Sequence, residues 1–259
     1  MDRTTTRLFR WDELAREPVT GQIERKIVTG DKVMVAHIWL EKGAVVPRHF
    51  HEAEQLSWTF SGSLEFRFDN GSRVVARPGD ILVIPSNVPH EAVALEDTYE
   101  MDTFSPIRYD WLDGSDSYFK NAPTTEAAAP APASAGELPA RLVRWDEVPR
   151  EPLNEMVTRT FVTGERATIA ELHLLEGCVV PTHQHESEQL TWVRSGELEL
   201  IVAGERHLVP AGSVLRIPSN LPHQATAVKE TRVVDLFSPI REDWLKNADA
   251  YLRSAKAAR

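Results

Sequence analysis

Short apolar runs separated by turn residues occupy most of the chain. In the first half, Val, Ile, Leu and aromatic residues concentrate in runs at 33–41, 55–60, 63–68, 72–77, 80–85 and 98–104. Asp, Asn, Pro and Gly stand between them, as in Phe-Asp-Asn-Gly from Phe68 and Arg-Pro-Gly-Asp from Arg77. Runs of this length, with turn signals at this spacing, are typical of an antiparallel sandwich or barrel. We therefore expect an all-β fold.

The end of the chain has a different period. Apolar residues recur there at helical spacing, namely Trp244, Leu245, Ala248, Tyr251, Leu252 and Ala255. This spacing predicts a C-terminal helix that packs on the barrel, and it favours packing over cofactor binding for these side chains.

The whole pattern occurs twice. RWDELAREP, from Arg10, returns as RWDEVPREP from Arg144, and HFHEAEQLSWTFSG, from His49, returns as HQHESEQLTWVRSG from His183, each at a shift of 134 residues. IPSNVPH and FSPIRYDWL return as IPSNLPH and FSPIREDWL at a shift of 133. A register kept over this length indicates a tandem duplication. The Ala- and Pro-rich composition of 121–140 predicts a linker, so we expect an N-terminal domain over 1–120 and a C-terminal domain over 141–259.

Size and charge narrow the class of partner. A chain of 259 residues is long enough for two domains. The net charge of −10 argues against nucleic acid and anionic membranes as partners, whereas a small anionic substrate could still bind beside a local cation.

A single cysteine, Cys178, and the lack of an apolar leader in this N-terminal sequence favour a cytoplasmic protein. We expect that thiol to be buried, and a homodimer is left open.

Two histidines and a glutamine at fixed spacing carry the candidate chemistry. His49, His51 and Gln55 share parity, so in an extended segment their side chains lie on one face, while Glu54 should face away. The turn before His90 can return its imidazole to the same barrel mouth. A lone histidine on an apolar strand is usually a core residue, but this set occurs twice. Imidazole suits Zn, Ni, Fe, Cu and, with oxygen ligands, Mn.

We therefore expect one divalent transition metal per domain, Zn, Ni, Mn or Fe. The predicted ligands are His49, His51, Gln55 and His90 in the first domain, and His183, His185, Gln189 and His223 in the second.

These residues resemble the two sequence motifs of the cupin family. The first motif is matched by Gly43-x5-His49-x-His51-x3-Gln55-x6-Gly62 and the second by Gly79-x5-Pro85-x4-His90. The second copy repeats both, at Gly177, His183, His185, Gln189 and Gly196, then at Gly212, Pro218 and His223. The resemblance implies a bicupin, that is, two tandem double-stranded β-helix (jelly-roll) barrels with short C-terminal helices and one metal site each.

One departure from the motif changes the expected chemistry. Gln55 and Gln189 stand where the family usually has Glu. A ligand set of three imidazoles and one amide is neutral, so a divalent ion keeps its full charge. Such an ion is a stronger Lewis acid and favours an anionic ligand. We therefore expect non-redox chemistry on a carboxylate or enediol substrate.

An Asp-x-Phe-Ser-Pro-x-Arg block follows each metal motif. Its candidate catalytic residues are Asp102, Phe104 and Arg108, and Asp235, Phe237 and Arg241. The aspartate could move a proton and the arginine could clamp a carboxylate. The structural alternative is that the aspartate caps a turn and the arginine pairs with Asp110 or Glu100 at the surface.

Together, the ligand set and this block look like those of the KdgF-type pectin-degradation cupins, single-domain proteins that open 4,5-unsaturated monouronates. The resemblance implies a metal-dependent enzyme that opens or isomerises a small sugar acid. A metal-dependent dioxygenase and a non-catalytic sugar or metal sensor remain as alternatives.

The two copies also differ at positions expected to line the pockets. Ser57, Thr59 and Arg67 in the first copy correspond to Thr191, Val193 and Ile201 in the second. These differences could give the two sites different substrate preferences, or one site could be mainly structural, and the sequence leaves both alternatives open.

Overall fold

Strands form where the apolar runs predict them, and the all-β fold is confirmed. The computed structural model describes residues 5–121 and 136–257, so most of the predicted linker over 121–140 lies outside the described residues. Within those two ranges, no helix has the length and apolar character that crossing a bilayer requires.

The elements of the first half are β1 (Arg7–Arg10), β2 (Glu17–Pro18), β3 (Ile23–Thr29), β4 (Met34–Leu40), β5 (Val45–His49), β6 (Glu54–Ser61), β7 (Leu64–Phe68), β8 (Arg73–Ala76), β9 (Asp80–Ile84), β10 (His90–Ala94), β11 (Thr98–Ser105), α1 (Tyr109–Asp113) and a 3₁₀ turn (Ser117–Asn121). Those of the second half are β12 (Arg141–Arg144), a 3₁₀ turn (Trp145–Glu147), β13 (Glu151–Pro152), β14 (Val157–Thr163), β15 (Thr168–Leu174), β16 (Cys178–His183), β17 (Glu188–Ser195), β18 (Glu197–Val202), β19 (Glu205–Pro210), β20 (Ser213–Ile217), β21 (His223–Ala227), β22 (Thr231–Ser238), α2 (Glu242–Leu245), α3 (Ala250–Arg253) and β23 (Lys256–Ala257).

The strands form two barrels, each built from a larger and a smaller sheet. In the first barrel, which contains His49, the sheet orders are β12-β9-β6-β11-β4-β3-β2 and β5-β10-β7-β8. In the second barrel, which contains His183, they are β1-β20-β17-β22-β15-β14-β13 and β19-β18-β21-β16-β23. The strand order is therefore repeated along with the sequence.

Alternation along each strand decides which side chains enter a barrel. On β7, Leu64, Phe66 and Phe68 are buried, while the residues between them are partly exposed. Burying a side chain such as that of Phe66 contributes roughly 2–3 kcal/mol to stability. The prediction that Arg67 and Ile201 line the pockets is wrong, because each lies between buried neighbours on the opposite face of its strand.

The compact units exchange their leading strands. Strand β1 pairs with β20 of the second barrel, with Leu8 opposite Leu215, whereas β12 pairs with β9 of the first barrel, with Leu142 opposite Leu82. The compact unit that contains the second barrel also includes Val28–Val33. The boundaries at 1–120 and 141–259 stay a prediction about the duplicated sequence. In space, each barrel is completed by the strand that precedes the other copy.

The C-terminal segment is more broken than the apolar spacing predicts. Instead of one helix, two single turns, α2 and α3, flank Asn247, whose φ of 53° lies in the left-handed region. Trp244 and Leu252 are buried as expected, but Leu245 is 52% exposed. A left-handed residue interrupts the helical periodicity, so the stripe does not continue on one face.

The glycines that end the first cupin motif permit a close backbone crossing. Gly62 and Gly196 have φ values of 78° and 83°. A Cβ atom on Gly62 would lie 2.3 Å from the carbonyl oxygen of Asp97, and one on Gly196 would lie 2.2 Å from that of Glu230. Both positions therefore require glycine for conformation and for space.

Candidate metal centres and pockets

Strand pairing brings the histidines of each copy together. His49 ends β5 and His90 begins β10, and the two residues are direct cross-strand partners with ring centroids 4.4 Å apart. The backbone N–H of Asn87 donates to the carbonyl of His51 at 2.8 Å, which ties the turn before His90 to the third histidine. Asn87 has a φ of 61°, a conformation that asparagine tolerates.

The second barrel repeats this arrangement. His183 lies opposite His223, with ring centroids 4.2 Å apart, and Asn220 donates to the carbonyl of His185 at 2.8 Å.

Backbone carbonyls fix the tautomer of all six imidazoles. In the first barrel, Nδ1 of His49, His51 and His90 lies 2.9, 2.7 and 2.8 Å from the carbonyls of residues 47, 53 and 88. A carbonyl can only accept, so each Nδ1 carries the hydrogen and each Nε2 keeps its lone pair. The same contacts occur in the second barrel at 2.9, 2.8 and 2.8 Å. A hydrogen bond from the ring nitrogen that does not bind the ion is what orients metal-binding histidines in proteins.

The lone pairs converge on one point in each barrel. The candidate ligand atoms of each histidine trio lie within 4.8 Å of one another. Nε2 of His90 and of His223 is buried and has no hydrogen-bond partner among the described residues. Burial lowers the pKa of His49 to about 2, of His51 to about 3 and of His90 to about 4, so all three are neutral near pH 7. Neutral imidazoles with converging lone pairs fit a divalent metal ion.

The glutamine amide connects this cluster to the aspartate. Nε2 of Gln55 donates to Oδ2 of Asp102 at 3.0 Å, which turns Oε1 toward Nε2 of His51 at 3.2 Å. With Nδ1 protonated, neither Oε1 of Gln55 nor Nε2 of His51 carries a hydrogen, so a cation beside both atoms would make their approach favourable. The second barrel shows the same pair at 3.2 Å, with Gln189 donating to Asp235 at 3.1 Å. Gln55 and Gln189 are therefore placed as predicted, and their role as metal ligands stays a prediction.

Each aspartate is buried beside its glutamine. Burial raises the pKa of Asp102 to about 7 and that of Asp235 to about 6, while hydrogen bonds from neighbouring side chains act in the opposite direction. Oδ1 of Asp102 has no hydrogen-bond partner among the described residues, and Asp102 lines the pocket. A carboxyl group with such a pKa can hold or release a proton near neutral pH.

Each arginine lines its pocket, as expected for a residue that binds a carboxylate, and also forms an ion pair with a nearby aspartate, as the structural alternative expected. Arg108 forms a two-point ion pair with Asp110, at 2.8 and 2.5 Å, yet it is 3% exposed and lines the pocket. Its Nη1 is buried and lacks a partner within the described residues. Arg241 makes the same pair with Asp243, at 2.9 and 2.6 Å. The surface alternative is therefore wrong in its location, although the partner Asp110 was correctly anticipated.

Phe104 and Phe237 form part of the pocket walls. The ring of Phe104 meets that of His51 edge to face, with centroids 5.7 Å apart, and Phe237 meets His185 at 5.5 Å. The guanidinium carbon of Arg108 lies 5.3 Å from the Phe104 ring centroid. Each phenylalanine thus packs between a candidate metal ligand and the arginine.

Tyr118 was missed from the sequence, and Tyr251 was predicted only as a packing residue of the C-terminal segment. The ring of Tyr118 stacks on His49, with centroids 4.3 Å apart and planes 6° from parallel. Its hydroxyl accepts hydrogen bonds from Arg108 at 3.1 Å and Trp111 at 3.0 Å. Tyr251 stacks on His183 in the same way, at 3.9 Å. The duplication held the signal, because both tyrosines lie two residues after a repeated aspartate.

A buried glutamate directly precedes each glutamine on its strand. Glu54 and Glu188 face away from the ligands, as expected from parity, but each is only 1% exposed. The Glu188 carboxylate accepts backbone N–H bonds from residues 31, 32 and 33 at 2.9, 2.6 and 3.2 Å, and a further bond from Arg216 at 2.6 Å. It therefore anchors a loop and does not enter the pocket.

The two pockets have similar sizes. Their empty volumes, part of which is open to solvent, are about 480 Å³ in the first barrel and about 460 Å³ in the second. Candidate ligands, aspartate and arginine line the same pocket in each barrel, so each barrel brings together the side chains that the repeats singled out.

Known proteins share this arrangement to different extents. The cupin domain family matches residues 36–105 and 170–237. The pectin degradation protein KdgF of Dickeya dadantii is 28% identical over 103 residues, which are 39% of this chain and 94% of that protein. A variant of oxalate decarboxylase from Bacillus subtilis has a TM-score of 0.71 at 14% identity, covering 97% of this chain and 89% of that one. AerE from Microcystis aeruginosa has a TM-score of 0.63 at 16% identity, covering 88% and 97%.

The structural likenesses show the fold, and the two family matches fall on the two barrels whose histidines converge. With one such match in each copy of the repeat, the chain belongs to the cupin family, as a bicupin.

Proposed function

We propose that the chain is a metal-dependent enzyme that opens or isomerises a small sugar acid such as an unsaturated uronate. The observation that carries the proposal is the continuous contact from imidazole to amide to carboxyl, made by His51, Gln55 and Asp102. It places a group able to hold a proton beside the candidate metal position. KdgF is a pectin degradation protein, and pectin is a polymer of sugar acids.

A ring opening of this kind needs a proton carrier and no oxidant. The hemiacetal hydroxyl loses its proton and becomes a carbonyl while the ring C–O bond to the same carbon breaks. The released ring oxygen becomes a ketone on one carbon of the former double bond, and a proton is added to the other carbon. A bound divalent metal would supply Lewis acidity, polarising a hydroxyl or carbonyl oxygen of the substrate. Asp102 takes up and returns the proton at Oδ1, the oxygen that has no partner among the described residues. In the second barrel, the carboxyl group of Asp235 carries the proton, although its Oδ1 accepts a hydrogen bond from Gln189.

The remaining residues bind and orient the acid. The unpartnered Nη1 of Arg108 offers an N–H to the substrate carboxylate, while Asp110 and Tyr118 hold the guanidinium in place. Phe104 covers the ring face and excludes water from the reacting atoms. Arg241 and Phe237 occupy the same places in the second barrel.

The test uses the full chain loaded with one metal at a time. Oxalate decarboxylase of Bacillus subtilis has Mn(II) centres, so manganese is tried beside zinc, nickel and iron. Loss of the absorbance of the conjugated double bond is followed with 4,5-unsaturated monouronates under anaerobic conditions. We expect turnover that is equally fast with and without oxygen.

Aspartate variants separate this proposal from its alternatives. Asp102→Asn with Asp235→Asn should lower the rate by about 10²–10⁴-fold, whereas Asp12→Asn, at an exposed position, should leave it unchanged. Oxygen uptake with substrate would favour a dioxygenase instead. Tight binding of the acid without turnover in the metal-loaded wild type would favour a sensor.

A further inference from the structure

The two pockets share their candidate ligands, aspartate and arginine, and they differ at the lining residue two positions before the aspartate. In the first barrel, β11 carries Glu100 two residues before Asp102, and the side chain lines the pocket. The corresponding residue of β22 is Val233, which lines the second pocket. The duplicated copies therefore place a carboxyl group in one pocket and a hydrocarbon group in the other.

Glu100 is buried among groups that leave hydrogen-bonding capacity free. It is 3% exposed and accepts a hydrogen bond from Ser57 at 2.5 Å. Its strand neighbour Thr59 is fully buried, and the hydroxyl oxygen of Thr59 has no hydrogen-bond partner among the described residues. A carboxyl group can take part in several hydrogen bonds. A ligand hydroxyl that reaches Glu100 in the first pocket would therefore find a hydrogen-bond partner.

Among the described residues that line the second pocket, none offers such a hydroxyl a comparable partner beside Val233. Val233 is flanked in the sheet by Leu172 and Val193. Thr191, which pairs with Asp235 on the neighbouring strand, already accepts a hydrogen bond from Gln189 at 2.7 Å. A hydroxyl moved from water into this hydrocarbon environment loses hydrogen bonds without replacement, which is unfavourable.

We propose that Glu100 is a specificity-determining residue of the first pocket, where it forms a hydrogen bond with a hydroxyl of a polyhydroxylated carboxylic acid. The second pocket, with Val233 in its place, binds carboxylic acids that lack that hydroxyl. Burial and the neighbouring Asp102 raise the pKa of Glu100, and this is consistent with a group that depends on hydrogen bonding and not on solvation. The inference rests on the proposed function only in taking the ligands to be small acids.

Two probes of the same ring size test the assignment. D-galacturonate carries ring hydroxyls, and tetrahydropyran-2-carboxylate has the ring and the acid without them. Both are titrated calorimetrically into the manganese-loaded full chain in two single-site forms. His183→Ala with His185→Ala leaves the first centre, and His49→Ala with His51→Ala leaves the second. We expect the ratio of the two affinities to favour galacturonate by at least about tenfold more in the first pocket than in the second.

Glu100→Val is then introduced into the form that keeps the first centre. It should weaken galacturonate binding about tenfold and leave tetrahydropyran-2-carboxylate binding within about twofold. Metal content and thermal unfolding report on folding, and if this variant does not fold, the comparison of the two single-site forms decides. Equal selectivity in both pockets, unchanged galacturonate affinity in Glu100→Val, or no binding of either probe to the first pocket would overturn the proposal.

These outcomes are separate from those of the turnover assay. Different selectivities without turnover keep Glu100 as a specificity residue and remove the proposed reaction. Turnover of the unsaturated acid with identical selectivities removes only the role of Glu100.

Discussion

Replacing Tyr118 by phenylalanine removes one oxygen atom on which the first site depends. The ring can still stack on His49, so the variant isolates the hydroxyl, which accepts hydrogen bonds from Arg108 and Trp111. A lost bond from a neutral donor costs about 1 kcal/mol and one from a charged donor about 1.5–3 kcal/mol. Arg108 keeps its ion pair with Asp110, so we expect the free energy of unfolding to fall by about 2–3 kcal/mol.

Urea denaturation of the metal-free protein, followed by tryptophan fluorescence, measures this loss. Tyr251→Phe should behave alike, since the Tyr251 hydroxyl accepts from Arg241 and Trp244. Tyr109→Phe is the matched control, because the Tyr109 side chain is 65% exposed, and it should change stability by less than about 0.5 kcal/mol. If Tyr118→Phe is as stable as that control, the hydroxyl does not hold the arginine in place and the reasoning is refuted.

Further predictions concern metal content, pH, reactivity and loop anchoring. Elemental analysis should find two metal ions per wild-type chain, one in His49→Ala and none when His183→Ala is added. Burial raises the pKa of Glu100 above its usual 4.5, so the free energy of unfolding of the apoprotein should decrease as pH rises above that value. Glu100→Gln should reduce this slope, whose limit is about 1.4 kcal/mol per pH unit for one group, in urea titrations at about pH 5 and about pH 7. Burial also raises the pKa of Cys178 to about 11, so a thiol reagent should label it only after denaturation. Glu188→Leu should cost at least about 3 kcal/mol, because four donors lose their acceptor and two of these hydrogen bonds, from Val33 and Arg216, are buried; a normal urea midpoint would contradict this.

The duplication explains why much of the site was predictable. A pattern that recurs at a fixed shift separates retained side chains from drifting ones, which singled out the histidines, Gln55, Asp102 and Arg108. Parity correctly turned Gln55 and Glu54 to opposite faces of β6. The expectation of one extended segment for His49, His51 and Gln55 is wrong, because His49 ends β5, His51 lies between the strands and Gln55 belongs to β6. The same argument failed for Arg67, because the residues that enter the barrel from β7 are its even-numbered neighbours. Strand phase depends on turn geometry, and local sequence does not specify it fully.

Other features depend on contacts between residues distant in sequence. The stacking of Tyr118 on His49 joins residues that are 69 positions apart in the sequence, as 118 − 49 gives. Glu100 was considered only as a surface partner for arginine, since a charged residue on a strand is more often solvated than buried. The exchange of β1 and β12 left no local signal, because strand partners are chosen by the assembled sheet.

That exchange has a consequence for how the polypeptide matures. During synthesis, the edge of β9 stays unpaired until its partner β12 (Arg141–Arg144) has left the ribosome. Strand β20 is synthesised after its partner β1, so it can pair at once. An unpaired edge strand invites association with other chains. Expressing either half of the gene by itself would therefore leave an unpaired, aggregation-prone edge strand, β9 in the first half or β20 in the second. A split protein that folds would need β12 attached to the first half and β1 attached to the second.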